Sequence, residues 1–299
     1  IPTPTGSIES MLVTLGASTR NEMSSQYSVR GGNYDENLIY VNDVEIYRPL
    51  LIRSGQQEGL SFINSALVSS IQFSAGGFEA QYGDKMASVL DIKYKRPSQF
   101  GGSVTASLLG ASIHVEGASK NKHFTHISGL RYKTNQYLLR SLDTKGDYKP
   151  IFLDFQTFLT YDLVKNVEIS FLGNISRNKY NVIPTIKKTE FGTVQEVLEL
   201  NIYYEGQEVD MFNTYLGAMT ISYQPAKNLS LKLIGSAFNT SESVCYDLLG
   251  QYWINQLDNT IGSETAGDSI LNIGIGTNLQ HARNYLDAYV YNLSLIHIS

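Results

Sequence analysis

From residue 101 onward the chain alternates apolar and polar positions with a period of two, the pattern of strands whose two faces meet different surroundings. Val104, Ala106 and Leu108 alternate with Ser103, Thr105 and Ser107; past a Gly110 corner, Ile113 and Val115 alternate with Ser112, His114 and Glu116. A third strand is predicted over Phe124–Lys133. The clearest stretch sets Phe155, Thr157, Leu159, Tyr161 and Leu163 against Asp154, Gln156, Thr160 and Asp162. After a turn at Val164-Lys165-Asn166 it continues as Val167, Ile169, Phe171 and Ile175 against Glu168, Ser170, Asn174 and Ser176. Phe212–Tyr223, Leu229–Thr240, Ile270–Leu279 and Tyr285–Leu293 bring the expected total to about nine strands. A slip of one residue would carry every side chain to the other face. The pattern therefore commits Ile169, Phe171 and Leu159 to the outside of the sheet, and Glu168, Asn174 and Gln156 to the inside.

The first third of the chain is punctuated by glycines instead. Ser28-Val29-Arg30 leads into Gly31-Gly32, and Leu38-Ile39-Tyr40-Val41 and Val44-Glu45-Ile46-Tyr47 flank the turn dipeptide Asn42-Asp43, which reads as a hairpin. A short helix is expected from Ser61 to Val68, then a strand over Ser70–Ser74, the Gly76-Gly77 turn, a Tyr82-Gly83 corner and a strand over Ser88–Lys95. Ser7 to Leu12 predicts one helical turn, and Val13 to Ala17 a strand.

Connection lengths add the next constraint. From residue 119 they run short, long, short, long, with short turns at Lys120-Asn121-Lys122, Val164-Lys165-Asn166, Pro225-Ala226-Lys227-Asn228 and His281-Ala282-Arg283-Asn284. The long ones are 134–150, with a helical turn expected at Tyr137 to Leu142, then 181–208, whose second half from Val194 to Tyr204 alternates as the extension of a strand above the membrane, and 244–268. Outer-membrane barrels have this asymmetry between periplasmic turns and extracellular loops; soluble sandwiches have no reason for it. Composition agrees: 20 Tyr against one Trp, many Gly and few Pro suit short strands with aromatic belts. No run of 18 apolar residues exists, so no membrane-spanning helix is expected.

Arg30-Gly31-Gly32 after a strand, the Leu38–Asp43 hairpin and the stretch SIQFSAGGFEAQYGDKMASVLDIKYKRP resemble the plug and early barrel of TonB-dependent outer-membrane receptors. The similarity extends to the branch with a carboxypeptidase-regulatory-like domain ahead of the plug. The hairpin departs from the family's usual Asp-Gly in having Asn42-Asp43. The resemblance implies a mainly β protein: a partial transmembrane antiparallel β-barrel, an open curved sheet, with a small α+β plug domain packed on its inner face. Its expected divisions are a plug over 1–97, truncated at its N-terminus, barrel strands over 101–293, and a tail over 294–299 whose SLIHIS resembles translated sequencing-adaptor sequence.

The implied function is reception of a scarce nutrient at the Gram-negative outer membrane and its TonB-coupled import; the alternative is a non-transporting adhesin or signalling receptor on the same scaffold. Implied partners are TonB, through a box upstream of Ile1, outer-membrane lipid, a small-molecule, glycan or peptide cargo, and, from the branch, a surface lipoprotein. Plug apices near Arg20, Asn21, Asn33, Tyr34, Asp35, Tyr47 and Arg48 would floor a binding vestibule. Its walls would come from the aromatic side chains Tyr180, Tyr203, Tyr204, Tyr246, Tyr252 and Trp253, which offer contact area at low entropic cost; the plainer alternative puts these in the outer aromatic girdle. Gly31, Gly32, Gly76, Gly77, Tyr82 and Gly83 would shape the plug, and Arg30 would hold it by pairing with a wall carboxylate across a polar interface.

Other chemistries find little support. Net charge is −5 with scattered Lys and Arg, which excludes a nucleic-acid face. The lone Cys245 has no disulfide partner and no zinc-type spacing. The five histidines form no HExxH, and no Ser lies in a GxSxG elbow, so no enzyme, cofactor or metal is expected. A pairing of His114 with His126 across neighbouring strands is less favoured than two hydrogen-bonded histidines. The carboxylate pairs Asp35/Glu36 and Glu264/Asp268 read as loop residues, because nothing apolar separates their pKa values.

Overall fold

The computed structural model describes residues 8–19, 27–47, 61–79, 82–83, 85–134, 146–193, 196–260 and 262–298. Its N-terminal part is built on a four-stranded sheet of order β4-β3-β6-β5, comprising β3 (Asn37–Val41), β4 (Val44–Glu45), β5 (Val68–Ala75) and β6 (Ser88–Tyr94). A helical turn, α1 (Glu9–Leu12), and the pair β1 (Ala17–Thr19) and β2 (Tyr27–Val29) accompany it. Strands β3 and β6 run parallel and the other neighbours antiparallel. The β3–β4 hairpin forms as expected, with positive φ at both Asn42 (50°) and Asp43 (66°). A two-residue turn matching the twist of its strands needs positive φ at both central positions, and Asn and Asp tolerate it. Where a strand was expected at Val13–Ala17, Val13–Leu15 instead tighten into a 3-10 turn closed by Gly16, and the helix expected at Ser61–Val68 is reduced to a 3-10 turn at Ser65–Leu67.

The remainder is one antiparallel wall of nine strands. Its path runs β7 (Gly101–Ser107), β8 (Gly110–Ala118), β9 (Phe124–Lys133), β10 (Gly146–Val164), β11 (Val167–Pro184), β13 (Val197–Ala226), β14 (Leu229–Leu257) and β15 (Ser269–Ile298), with β12 (Lys187–Gly192) paired to β13 beside it. Within the expected connection 181–208 the strand extension read at Val194–Tyr204 is seen from Val197 on, the rest is also largely strand, and 244–268 shrinks to 258–268. The turn expected at His281–Asn284 is absent: β15 pairs with β14 without a break from Gly274 to Ile298. Those polar residues are the aqueous part of a long strand, and polarity alone had made them read as a turn. The expected helical turn at Tyr137–Leu142 lies outside the described residues. Ser294–Ile298 continue β15 opposite Ser230–Ile234.

Exposure identifies the two faces. Leu153, Phe155, Tyr161 and Leu163 on β10, Phe171 and Ile175 on β11, and Tyr215, Met219, Ile221 and Tyr223 on β13 are exposed on one face, while Asp154, Gln156, Asn174 and Leu216 are buried on the other. Leu159 opposes Phe171, and Gln156 opposes Asn174, as the alternation predicted. The apolar band covers 167–175 on β11, 215–223 on β13 and 289–295 on β15, interrupted by Gly173 and Gly217, and polar side chains take over on that face at Arg177, Asn213, Asn239 and Asp287. Nine residues reach roughly 30 Å along a strand, or roughly 23 Å of height at a tilt of about 40°, the thickness of an outer-membrane hydrocarbon layer. Strands β13–β15 run on well beyond it, away from the short turns.

Candidate functional site

The N-terminal unit sits against the buried face of the wall, and the contact between them is the site that the fold builds. Its firmest point is on β9 and β10. Arg131 donates from Nε and Nη2 to the two oxygens of Asp154 (2.8 and 2.7 Å), and the same guanidinium donates to the carbonyls of Ile63 (2.8 Å), Ser61 (2.9 Å) and Phe62 (3.2 Å). The Asp154 side chain is 0% exposed, so its charge is tolerable only because the planar fork opposite satisfies both oxygens. One step along, Gln156 donates to the Phe62 carbonyl and accepts from the Tyr94 hydroxyl (2.8 Å). Burial pushes the Tyr94 phenol well above its ordinary value, so it is a permanent donor here. The wall has Gly129 where this loop comes closest; a Cβ there would run into the Asn64 amide.

A second contact lies near the short turns. Asp43, at the tip of the β3–β4 hairpin, binds Lys93 of β6 and Lys232 of β14 (2.8 Å). Burial alone would raise the Asp43 carboxyl, but hydrogen bonds from Lys232 and Lys93, with their charges, outweigh it and hold the group below its ordinary value. The Asn-Asp departure thus has a use, since glycine would turn the hairpin equally well but grip nothing. Arg96, where the chain passes into the wall, binds Asp162 (2.5 Å) and Glu168 on either side of the β10–β11 turn.

These polar contacts are interleaved with apolar ones. Ile127, Phe152, Leu172, Phe212, Leu216, Ile234 and Phe238 of the wall join the buried cluster of Ile39, Val41, Phe62, Ile63, Leu90 and Ile92. The interface is therefore mixed, whereas a polar, hydrogen-bonded one with no apolar core to expose was expected. Among the described residues its bonding along β11 and β13 is incomplete: both amide atoms of Asn174, the hydroxyl of Ser176 and one oxygen of Asp210 are buried without a partner. Asp210 lies above the apolar band, where burial, with Glu208 adding repulsion, pushes its carboxyl up to about 6.

The residues singled out from the sequence fall in several places. Arg20, Asn21 and Arg48 lie outside the described residues. Asn33 caps the 3-10 turn Tyr34–Glu36 through a reciprocal bond with Glu36, and the Asp35 carbonyl accepts from Lys85 (2.8 Å). This turn lies at the end of β3 away from Asp43 and from the short turns. Tyr47 is drawn against the wall instead, with its hydroxyl bonded to Asn292 and its ring 6.5 Å from Phe238. Arg30 does not reach a wall carboxylate among the described residues; it is exposed, with its guanidinium over Gly76, and Arg96 and Arg131 make the links expected of it. Gly31, Gly76 and Gly77 have positive φ, as corners require, whereas Gly32 is confined by Ala87 and Glu36, and Gly83 is open. Tyr82 bonds Asp91 (3.2 Å) and packs on Tyr40. His114 and His126 occupy opposite faces of the wall; His114 bonds Glu116 (3.0 Å).

Register divides the six aromatic residues, all of which lie on strands. Tyr180, Tyr204, Tyr246 and Tyr252 share the face of Leu216, Phe238 and Lys232, toward the plug side, whereas Tyr203 and Trp253 share the face of Tyr215 and Ile221. Sequence reading missed Arg131, Lys232 and Arg96. One signal was present for Arg131: a carboxylate at Asp154, within the apolar and polar alternation of a wall strand, demands a cation nearby.

Residues 6–89 match the family model described as the TonB-dependent receptor plug domain. Structural similarity is found to the ferric enterobactin receptor PfeA of Pseudomonas aeruginosa (12% identity, 98% of this chain and 52% of that one, TM-score 0.47). It is also found to the P. aeruginosa FpvA structure with bound pyoverdine (9% identity, 94% and 48%, TM-score 0.43) and to the outer-membrane transporter YddB of Escherichia coli (12% identity, 98% and 53%, TM-score 0.42). The chain thus spans about half the length of these proteins. A search of curated proteins found no match.

Proposed function

We propose, on the premise that this chain belongs through its plug domain to the TonB-dependent receptors of the Gram-negative outer membrane, that it captures a scarce nutrient from outside and passes it inward when TonB pulls on the plug. The observation that carries this reading is the uneven attachment of plug to wall. On β9–β10 the Ser61–Asn64 loop is held by a buried guanidinium, a carboxamide and a close-packed glycine. On β11–β13 the wall offers polar atoms that no group among the described residues occupies. Buried polar groups without partners are costly and are readily satisfied by water.

A force on the plug therefore parts the β11–β13 side first, while β9–β10 acts as the hinge. Withdrawal of the whole plug is disfavoured, because each buried apolar side chain of the mixed interface resists exposure by about 1.5–3 kcal/mol. Three tyrosines above this seam, Tyr204, Tyr246 and Tyr252, line the approach to it, and Tyr180 is buried level with Asp210.

The test uses the complete gene in its host. Growth on single limiting nutrients is compared between the wild type, a deletion of the gene and a deletion of the segment that TonB engages. Nutrient-specific loss of growth in both deletions is expected. Normal uptake in both, with loss only of surface attachment or of a transcriptional response, would assign the scaffold to adhesion or signalling instead.

A further inference from the structure

The β13–β14 hairpin carries a cleft on the face that turns away from the plug. Asn201, Tyr203, Glu205, Gln251, Trp253 and Asn255 line it around an open space of about 460 Å³. All six share one face because Asn201 pairs with Trp253, Tyr203 with Gln251, Glu199 with Asn255 and Glu205 with Leu249, without a register shift down to Tyr223 at the foot of the apolar band. Tyr203 is twelve residues above Tyr215, the last aromatic of that band on β13. That is about 40 Å along the strand, or about 30 Å of height at a barrel tilt. Hydrocarbon does not reach the cleft, so the usual reason for an outward aromatic side chain on a barrel does not apply.

The side chains are arranged for a neutral polyhydroxylated ligand. Tyr203 and Trp253 stand edge to face, with centroids 5.0 Å apart at 88°, which leaves ring surface open at an angle. Two of the amides are already oriented: Asn201 donates to Glu199, and Asn255 accepts from Asn272 of β15 (2.8 Å). One acceptor on Asn201 and the donors on Asn255 remain available, beside the Gln251 amide and the Glu205 carboxylate. On the same face Lys188 is engaged by Glu199, and Arg283, farther along β15, by Asp247. Among the described residues the cleft therefore offers aromatic faces, amides and one carboxylate, a set that suits sugar hydroxyls and C–H faces and repels phosphate.

From this we infer that the cleft is a saccharide-binding site on the outside of the receptor, and that its occupant is the saccharide chain of the glycolipids in the surrounding outer leaflet. Position selects that source: the cleft looks sideways, at the height where chains anchored in that leaflet stand, and it lies on the opposite face from the vestibule. Bound there, such a chain would brace the long hairpin from outside without entering the transport route.

The experiment uses the complete receptor, purified in detergent and stripped of glycolipid. Calorimetry measures binding of three probes: the polysaccharide released by mild acid from the lipopolysaccharide of the source strain, and the soluble oligosaccharides maltoheptaose and xylohexaose. Expected is binding of the released polysaccharide, weakened at least tenfold by Trp253→Ala and by Asn255→Ala, and unchanged by Tyr252→Ala, which alters the neighbouring position on the opposite face. Trp253→Phe retains part of the affinity, which separates ring contact from misfolding. The inference is overturned by no binding, by equal binding to Trp253→Ala, by a loss confined to Tyr252→Ala, or by binding of the soluble oligosaccharides alone.

Discussion

Replacing Arg131 with Met tests the hinge side of the plug. The substitution keeps most of the side chain's apolar length but removes every donor. Asp154, whose side chain is 0% exposed, then has no counter-charge, and the carbonyls of Ser61, Phe62 and Ile63 lose the group that satisfies them. Five separate bonds at charged-bond strength would sum to more than any single buried residue contributes, because they share one guanidinium and one desolvation cost. The relevant quantity is the cost of breaking a buried ion pair from one side, about 3–5 kcal/mol. If that cost falls on plug attachment, the equilibrium for local release of the loop shifts by roughly 10²- to 10⁴-fold.

Amide hydrogen exchange on the complete receptor in lipid reads this directly. Protection at 61–67 should fall by that factor while protection along β13 and β14 stays unchanged. The double change Arg131→Met with Asp154→Leu should recover a large part of the loss, since it removes the stranded charge along with its partner. Unaltered protection at 61–67 in a correctly folded Arg131→Met receptor would refute the claim that this guanidinium anchors the plug, and so would a double variant no better than the single one.

Other predictions concern the hairpin, the seam and the lipid face. Because Asp43 is held below its ordinary 3.8, its contribution is complete above pH about 4 and is lost as pH falls through the lower bound-state value. Asp43→Asn should loosen the hairpin at pH 7 by roughly 1 kcal/mol, a modest figure because all three side chains are partly exposed. Exchange at 41–45, followed against pH, checks both statements. Asp210 has the opposite sign: with its carboxyl pushed up to about 6, the folded wall binds the proton more tightly than the unfolded chain, so acidification from pH 7 to 5 should stabilise the receptor. Asp210→Asn should flatten that part of the thermal-stability profile, and an unchanged profile would remove the case for a dehydrated seam. Phe171 stands midway along the apolar band of β11, so Phe171→Arg should cost about 2–4 kcal/mol in refolding titrations into bilayers. Lys179→Arg, above the band, should cost almost nothing in the same assay.

What could be read from the chain alone was whatever depends on neighbours in sequence. Period-two alternation assigns a face to each residue of a strand without reference to its partner, so the sequence alone orients Phe171, Leu159 and Gln156 as the wall does. The Asn42-Asp43 turn was equally local, since it depends on which residues tolerate positive φ. Tertiary structure decided whatever depends on a second strand. Polarity marks contact with water and not the end of a strand, so His281–Asn284 read as a turn until pairing with Val244–Asp247 carried β15 through them. Adjacent aromatic residues look equivalent in sequence, yet register sends Tyr204 and Tyr252 to the plug side and Tyr203 and Trp253 to the other. Arg131 meets Ser61–Ile63 across about seventy residues of chain. A buried charge announces that it needs a partner, but only the closed three-dimensional arrangement, by bringing distant backbone within hydrogen-bond reach, determines which one it finds.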